Sequence, residues 1–181
     1  LYALIELESF EPGRDGSRLE AGLAALMERG VIKDGVVARS LEESNRLWRV
    51  RDAAGELMVH VPHALSYDIS LPLPAIEGYL AQLQKAIAPL KGDMPALLFG
   101  HLGDGNIHLL ISPRSPAVTP QLNAVVYGAL QGFGSVAAEH GIGTQKRDYL
   151  GHSRTSAEIA LMRQLKATLD PQRILNPGRV I

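Results

Sequence analysis

Histidines at positions 101 and 108 flank the run Leu102-Gly103-Asp104-Gly105-Asn106-Ile107, and that spacing is the first chemical signal in the chain. Apolar stretches from Ala96 to Leu102 and from Ile107 to Ser112 bracket Asp104-Gly105, and Asp-Gly between two such runs predicts a β-hairpin. With Asp104 and Gly105 as a two-residue loop, the register sets His101 directly opposite His108. Opposed residues on one face carry Cβ atoms about 4.5 to 5.5 Å apart, so both imidazoles can converge on one divalent ion. Zinc or a similar ion with an open position takes a third protein ligand, commonly His, Asp or Glu. Glu139-His140 is the best source. The pair closes a predicted helix just before Gly141, and neighbouring side chains leave a helix about 100° apart, so one can bind metal while the other faces a substrate.

Plainer readings stand beside this one. A lone histidine in a strand usually packs or hydrogen-bonds, which is the expectation for His60, His63 and His152. Gly103 and Gly105 suit turn geometry, and Asp104 and Asn106 are turn formers. Glu139 without a partner would be a surface helix residue. Arg51 follows Trp48 on an amphipathic helix, where a solvated face and a carboxylate-binding role are both open. Lys146 and Arg147, after Gly141-Ile142-Gly143, read as solvated charge unless that loop closes over a site.

The elements that must position these residues alternate along the chain. Leu1 to Leu7 has a strand pattern with no lead-in and no initiator Met, as expected of a piece of a longer protein. Leu19, Leu23, Leu26 and Met27 repeat at helical spacing up to Gly30. Val36-Val37-Ala38 reads as a short strand, and Ser40 with Glu43 forms a capping box for a helix to about Leu57. Tyr67 to Leu73 reads as a strand, followed by a helix from Ala75 to about Leu90 with Pro74 in its first turn. After the hairpin, Thr119-Pro120 starts a long helix to about Glu139, and a last helix runs from about Thr155 to Leu169. This order predicts an α+β fold, ferredoxin-like in outline, with helices on one face of a mainly antiparallel sheet and a C-terminal helical segment.

Composition narrows the function classes. The 181 residues, 46% of them hydrophobic, suffice for one domain over residues 1–181. A formal net charge of -1, from 18 basic and 19 acidic residues, leaves no footprint for nucleic acid or an anionic membrane. Cysteine is absent, which excludes thiolate ligands, thiol catalysis and disulfides. No apolar run approaches the roughly 20 residues that span a bilayer, so the expectation is a cytoplasmic protein, with oligomerisation left open. No G-x-G-x-x-G loop or other evident flavin or phosphate cradle is present.

Six ordered segments carry a family resemblance across most of the chain: Tyr2 to Leu7, Leu47-Trp48-Arg49-Val50-Arg51, Tyr67-Asp68-Ile69-Ser70-Leu71-Pro72, the His101 to His108 hairpin, Glu139-His140-Gly141-Ile142-Gly143, and Leu169-Asp170-Pro171 with Leu175-Asn176-Pro177-Gly178. Together they resemble the C-terminal domains of FAD-linked oxidases of the vanillyl-alcohol-oxidase type, a family that includes D-lactate dehydrogenases, glycolate oxidase subunits and D-2-hydroxyglutarate dehydrogenases. The resemblance implies a cap domain that supplies the substrate side of an active site, while a preceding N-terminal domain of the same protein holds FAD. It also implies that His101, His108 and Glu139 ligate a divalent metal, zinc or manganese, and that His140 is the general base. Arg51 would grip the substrate carboxylate, Asn106 and Lys146 would lie near substrate or flavin, and Asn176 would belong to the segment that folds back toward the flavin domain.

The activity so implied is oxidation of a 2-hydroxy acid to the 2-oxo acid. A neutral histidine, with an intrinsic pKa near 6.5, suits removal of the hydroxyl proton near neutral pH. Where 2-hydroxyglutarate-type relatives place a lysine just before the Tyr-Asp segment, this chain has Ser66, so a second substrate carboxylate lacks an evident partner and a D-lactate- or glycolate-like monocarboxylate is expected. A metal-dependent hydrolase or lyase using the same ligands without flavin is the alternative, and a non-catalytic binding module is a third reading.

Overall fold

The structure, a computed structural model, describes residues 1–61 and 63–181, with Leu57 and Met58 described by backbone alone. In chain order the helices are α1 (Pro12–Glu28), α2 (Leu41–Asp52), α3 (Leu57–His60), α4 (Leu73–Ile87), α5 (Thr119–Gly128) and α6 (Ser156–Leu169), and the strands are β1 (Leu65–Ser70), β2 (Leu97–His101) and β3 (Asn106–Ile111). Internal contacts group the chain into two compact units, Leu1–Glu56 and Leu57–Ile181.

The first unit holds α1 and α2 and no buried residue. Ser40 caps α2 by accepting the Glu43 N–H at 3.2 Å, and the Glu43 carboxylate returns to the Arg39 N–H at 2.6 Å, one residue earlier than the capping box expected. The helix ends at Asp52 and passes into a 3-10 turn instead of running to Leu57. The strands expected over Leu1–Leu7 and Val36–Ala38 do not form. Their alternation shows which face would be buried, but a strand also needs a neighbour for its N–H and C=O groups. Among the described residues no ladder pairs with either segment.

The second unit is built on an antiparallel sheet in the order β1-β3-β2, which makes the fold α+β. Alternation along the strands divides its residues between two faces. Tyr67, Ile69, Ile107, Leu109 and Ile111 turn to one side and join Ile76, Tyr79, Leu83 and Ile87 of α4 and Leu122, Val126 and Tyr127 of α5 in the core. Asp68, Asn106, His108, Phe99 and His101 turn to the other side. The polar residues thus gather on the face away from the helices.

β2 and β3 form the expected hairpin with a longer turn. Phe99 pairs with His108, and His101 pairs with Asn106. The loop is a 3-10 turn, Leu102–Asp104, closed by Gly105 at φ +73°. A side chain on Gly105 would bring its Cβ to 2.0 Å from the Leu71 carbonyl, which the glycine backbone approaches to accept the Leu71 N–H. The register differs from the expected one by two residues, and since side chains alternate with period two, His101 and His108 keep the same face as diagonal neighbours.

The long helix expected up to Glu139 stops at Gly128. Glycines at 128, 132 and 134 weaken helix continuation, and Gly134 lies where a Cβ would fall 3.0 Å from the Ser70 carbonyl. The chain instead runs antiparallel beside β1: Ser70 and Ser135 exchange hydrogen bonds at 3.1 and 2.9 Å, and the Ala138 N–H meets the Asp68 carbonyl at 3.3 Å. α6 begins as expected, with Thr155 and Glu158 forming a complete capping box. Beyond α6 the chain returns: the Val180 N–H donates to the Gly143 carbonyl at 3.1 Å, and Arg147 donates to the Gly178 carbonyl at 2.8 Å. Among the described residues no helix is long and apolar enough to cross a membrane.

Candidate functional site

Asp68, missed by sequence reasoning, organises the polar face. It sits in the middle of β1 at 1% exposure, opposite His108. Its Oδ2 accepts three successive backbone N–H groups, from Ala138 at 3.1 Å, Glu139 at 2.9 Å and His140 at 2.8 Å. A run of N–H groups aimed at one oxygen is an anion-binding nest, here filled by the protein's own carboxylate. Burial alone would raise the Asp68 pKa, but the N–H groups of His140 and Glu139 together with the Lys146 and His140 charges hold it below its usual value. The signal available in the sequence was an acidic residue between Tyr67 and Ile69, two positions of strong strand and core preference.

This nest delivers Glu139 and His140 to the hairpin histidines. His101 Nδ1 lies 3.3 Å from Glu139 Oε1, and one ligand atom from each of His101, His108 and Glu139 falls within 4.8 Å of the others. Three donors on one tetrahedral ion sit roughly 3.4 Å apart, so the cluster is nearly closed around a common point. His108 is 6% exposed, and burial, as the largest influence, lowers its pKa against the opposing pull of Asp68. Burial thus favours the neutral form, the form that ligation requires. Two imidazoles and a carboxylate form a donor set suited to zinc or manganese. On these observations the residues fit a divalent ion.

His140 stacks on His108, with ring centroids 5.3 Å apart and planes 20° from parallel. Its Nδ1 lies 4.0 Å from Asp68 Oδ2, and its side chain is 58% exposed. Asn106 is 3% exposed, and neither atom of its amide has a hydrogen-bond partner. Unpartnered buried amides are uncommon, and one beside a metal-type cluster is suited to a polar ligand.

Lys146 departs from the expectation of solvated charge. It is 7% exposed, with Nζ 3.5 Å from Asp68 Oδ2 and 3.4 Å from the Asp68 carbonyl, and burial lowers its pKa while Asp68 opposes the shift. Arg51 lies on α2 in the first unit, 3.6 Å from the Asp52 carboxylate. Asn176 lies in the exposed segment after α6, at φ +45°, where its carbonyl accepts the Arg179 N–H at 3.2 Å. His152 is structural, since its Nδ1 lies 3.0 Å from the Tyr127 carbonyl. The second unit thus gathers His101, His108, Glu139, His140, Asn106 and Lys146 around Asp68.

The family model of FAD linked oxidases, C-terminal domain, matches residues 1–180. This chain belongs to that family. As an FAD-linked oxidase C-terminal domain it is similar to the protein named probable D-2-hydroxyglutarate dehydrogenase, mitochondrial, of Oryza sativa subsp. indica, with 36% identity over 99% of the chain and 32% of that relative. It is also 36% identical to the mitochondrial D-2-hydroxyglutarate dehydrogenase of Bos taurus, over 99% of the chain and 33% of the relative. The D-2-hydroxyglutarate dehydrogenase of Xanthomonas citri pv. viticola is 34% identical, over 99% of the chain and 39% of the relative. The FAD-linked oxidase domain therefore spans about a third of the length of these curated relatives.

Proposed function

We propose that this domain forms the substrate side of a flavin-dependent dehydrogenase that oxidises a 2-hydroxy acid to the 2-oxo acid. The observation that carries the reading is the convergence of His101, His108 and Glu139 beside His140, on the sheet face opposite the helices. His101, His108 and Glu139 would hold a divalent ion, zinc or manganese, which when bound supplies Lewis acidity toward the substrate hydroxyl and carboxylate. FAD, held mainly by a domain outside this chain, supplies the two-electron acceptor. Asn176 is the residue proposed to face that cofactor.

The remaining steps belong to this chain's own side chains. Arg51 pairs with the substrate carboxylate, for which a guanidinium offers a two-pronged fit. The Asn106 amide, buried and unpartnered, supplies a donor and an acceptor to the bound substrate. His140 takes the hydroxyl proton at Nε2, with its other nitrogen turned toward Asp68. Lys146 balances the Asp68 charge, so the loop that carries Glu139 and His140 stays closed on its nest. Cytoplasmic residence stays part of the proposal, although two of the relatives are named as mitochondrial. Family membership favours oxidation over the flavin-free hydrolase or lyase reading.

For the substrate we propose a monocarboxylate of the D-lactate or glycolate type, because Ser66 precedes Tyr67-Asp68 where a lysine would meet a second carboxylate. A specific observation favours a second reading, D-2-hydroxyglutarate: the relatives named above are D-2-hydroxyglutarate dehydrogenases. One experiment tests both. The full-length protein is assayed with D-lactate, glycolate and D-2-hydroxyglutarate as isolated, after chelation, and after reloading with zinc or manganese. The expected result is metal-restored turnover with kcat/KM at least tenfold higher for a monocarboxylate. Equal or better turnover of D-2-hydroxyglutarate overturns the substrate assignment, and activity indifferent to chelation overturns the metal centre.

A further inference from the structure

The two oxygens of the Asp68 carboxylate are unequally occupied. Oδ2 accepts three backbone N–H groups and faces the Lys146 ammonium at 3.5 Å. Oδ1 is buried with no hydrogen-bond partner, and His108 Nδ1 lies 3.6 Å from it. A buried carboxylate oxygen left open is an acceptor in want of a donor. His108 has one to give, since a neutral imidazole carries a single N–H, on either nitrogen. With Nδ1 turned to Asp68, Nε2 is the nitrogen that remains for the cluster with His101 and Glu139.

We propose that Asp68 is a positioning residue of the metal centre, whose Oδ1 receives the Nδ1–H of His108 and so holds that histidine in the tautomer with a free Nε2 lone pair for the ion. The proposal rests on the metal-centre reading given above. Its two oxygens then divide the labour: Oδ2 fixes the backbone that carries Glu139 and His140, and Oδ1 fixes the orientation and tautomer of His108. One carboxylate sets two of the three ligands and the base. A hydrogen bond from the outer nitrogen of a ligating histidine to a carboxylate is a general device for orienting the ring and raising its basicity.

Asp68, His108 and His140 also lie close enough to hold an ion between them. Direct ligation by Asp68 is disfavoured by what surrounds it. Oδ2 already accepts three N–H groups, and a divalent ion beside this carboxylate would face the Lys146 ammonium, a like charge in a buried setting. An outer position leaves those interactions intact.

Asp68→Asn separates the two oxygens. The asparagine carbonyl can still accept from the 138–140 backbone, while its NH2 group is turned toward His108 Nδ1 and obliges that nitrogen to accept. The His108 proton must then sit on Nε2, where it blocks the ligand position.

The test uses the full-length protein with Co2+ as the probe, in wild type, Asp68→Asn, His108→Ala and the double variant. Binding is followed by the cobalt absorption bands, and the melting temperature monitors the fold. The expected result is one Co2+ per wild-type chain, affinity about 10- to 100-fold weaker in Asp68→Asn, which melts below wild type because Lys146 loses its counter-charge but stays folded at the assay temperature, and little further loss when Asp68→Asn is added to His108→Ala. An unchanged affinity in Asp68→Asn overturns the proposal while the metal centre stands. A wild type that binds no Co2+ removes the metal centre and the proposal with it. Cobalt bands altered in Asp68→Asn as by loss of a ligand make Asp68 a ligand and overturn the positioning role. Long-range 1H–15N correlation on the metal-free wild type reads the His108 tautomer with no variant involved: a proton on Nδ1 supports the proposal, and a proton on Nε2 overturns it.

Discussion

His140 and Glu139 are adjacent in sequence and have different assignments, and the difference comes from the three N–H groups that pin their backbone to Asp68. Glu139 reaches His101, while His140 lies on His108. If His140 removes the hydroxyl proton, His140→Gln should lower kcat about 10²- to 10⁴-fold, leave KM within a few-fold, and leave the metal content at the wild-type level. Steady-state kinetics beside elemental analysis checks this, and loss of metal in the variant would make His140 a ligand. The histidines and Glu139 were singled out in the sequence because their side-chain types name a chemistry, and Asn106, read from the residues as a turn former, only through the family resemblance. Asp68 was not, since its importance lies in main-chain groups seventy and more positions away, which spacing along the chain does not report.

At the scale of elements, the hairpin shows how a register expectation can miss while its consequence survives. The Asp-Gly pair suggested a two-residue loop, but the turn takes in Leu102 to Gly105, and the shift is even, so the faces are preserved. The helix expected to end at Glu139 failed for a different reason. Its start at Thr119-Pro120 held and the helix runs to Gly128, and the competing signal was the cluster of glycines that lets the chain pass close to β1. The tightest element is the turn itself. Gly105→Ala combines a left-handed backbone with a Cβ only 2.0 Å from the Leu71 carbonyl, so it should cost roughly 2–4 kcal/mol of stability. Denaturant unfolding would show it, and the shift should exceed that of Gly103→Ala, where a Cβ meets nothing within 4 Å.

Over the whole second unit, the same sheet separates an ionised face from an aromatic interior. Tyr67, Tyr79 and Tyr127 are buried against the helices; Tyr67 donates to Asn123 at 2.8 Å and Tyr79 to the Val126 carbonyl at 3.1 Å. Burial is the largest cause raising all three phenol pKa values, and neighbouring tyrosines add to it. A raised folded pKa means the native state holds its protons more tightly than the unfolded chain. The associated stability is complete below the ordinary tyrosine pKa of about 10 and is lost as pH rises beyond it. Thermal melts between pH 8 and 11.5 should be flat at first and then fall steeply, in step with the tyrosinate absorbance. Phenol ionisation without loss of melting temperature would contradict the shared burial of these rings. The α+β class and the helical face were readable from periodicity, whereas the division into two units was not, because no composition shift marks residue 56.

The hydrogen bonds from Val180 to Gly143 and from Arg147 to Gly178 make residues 178–180 a tether on the loop that follows Glu139 and His140. Gly143 lies three residues from His140 and three from Lys146. Tension applied after Ile181, by an appended tag, a surface linker or a fused protein, would be transmitted through two short contacts toward His140, the proposed base, and toward Lys146 beside Asp68.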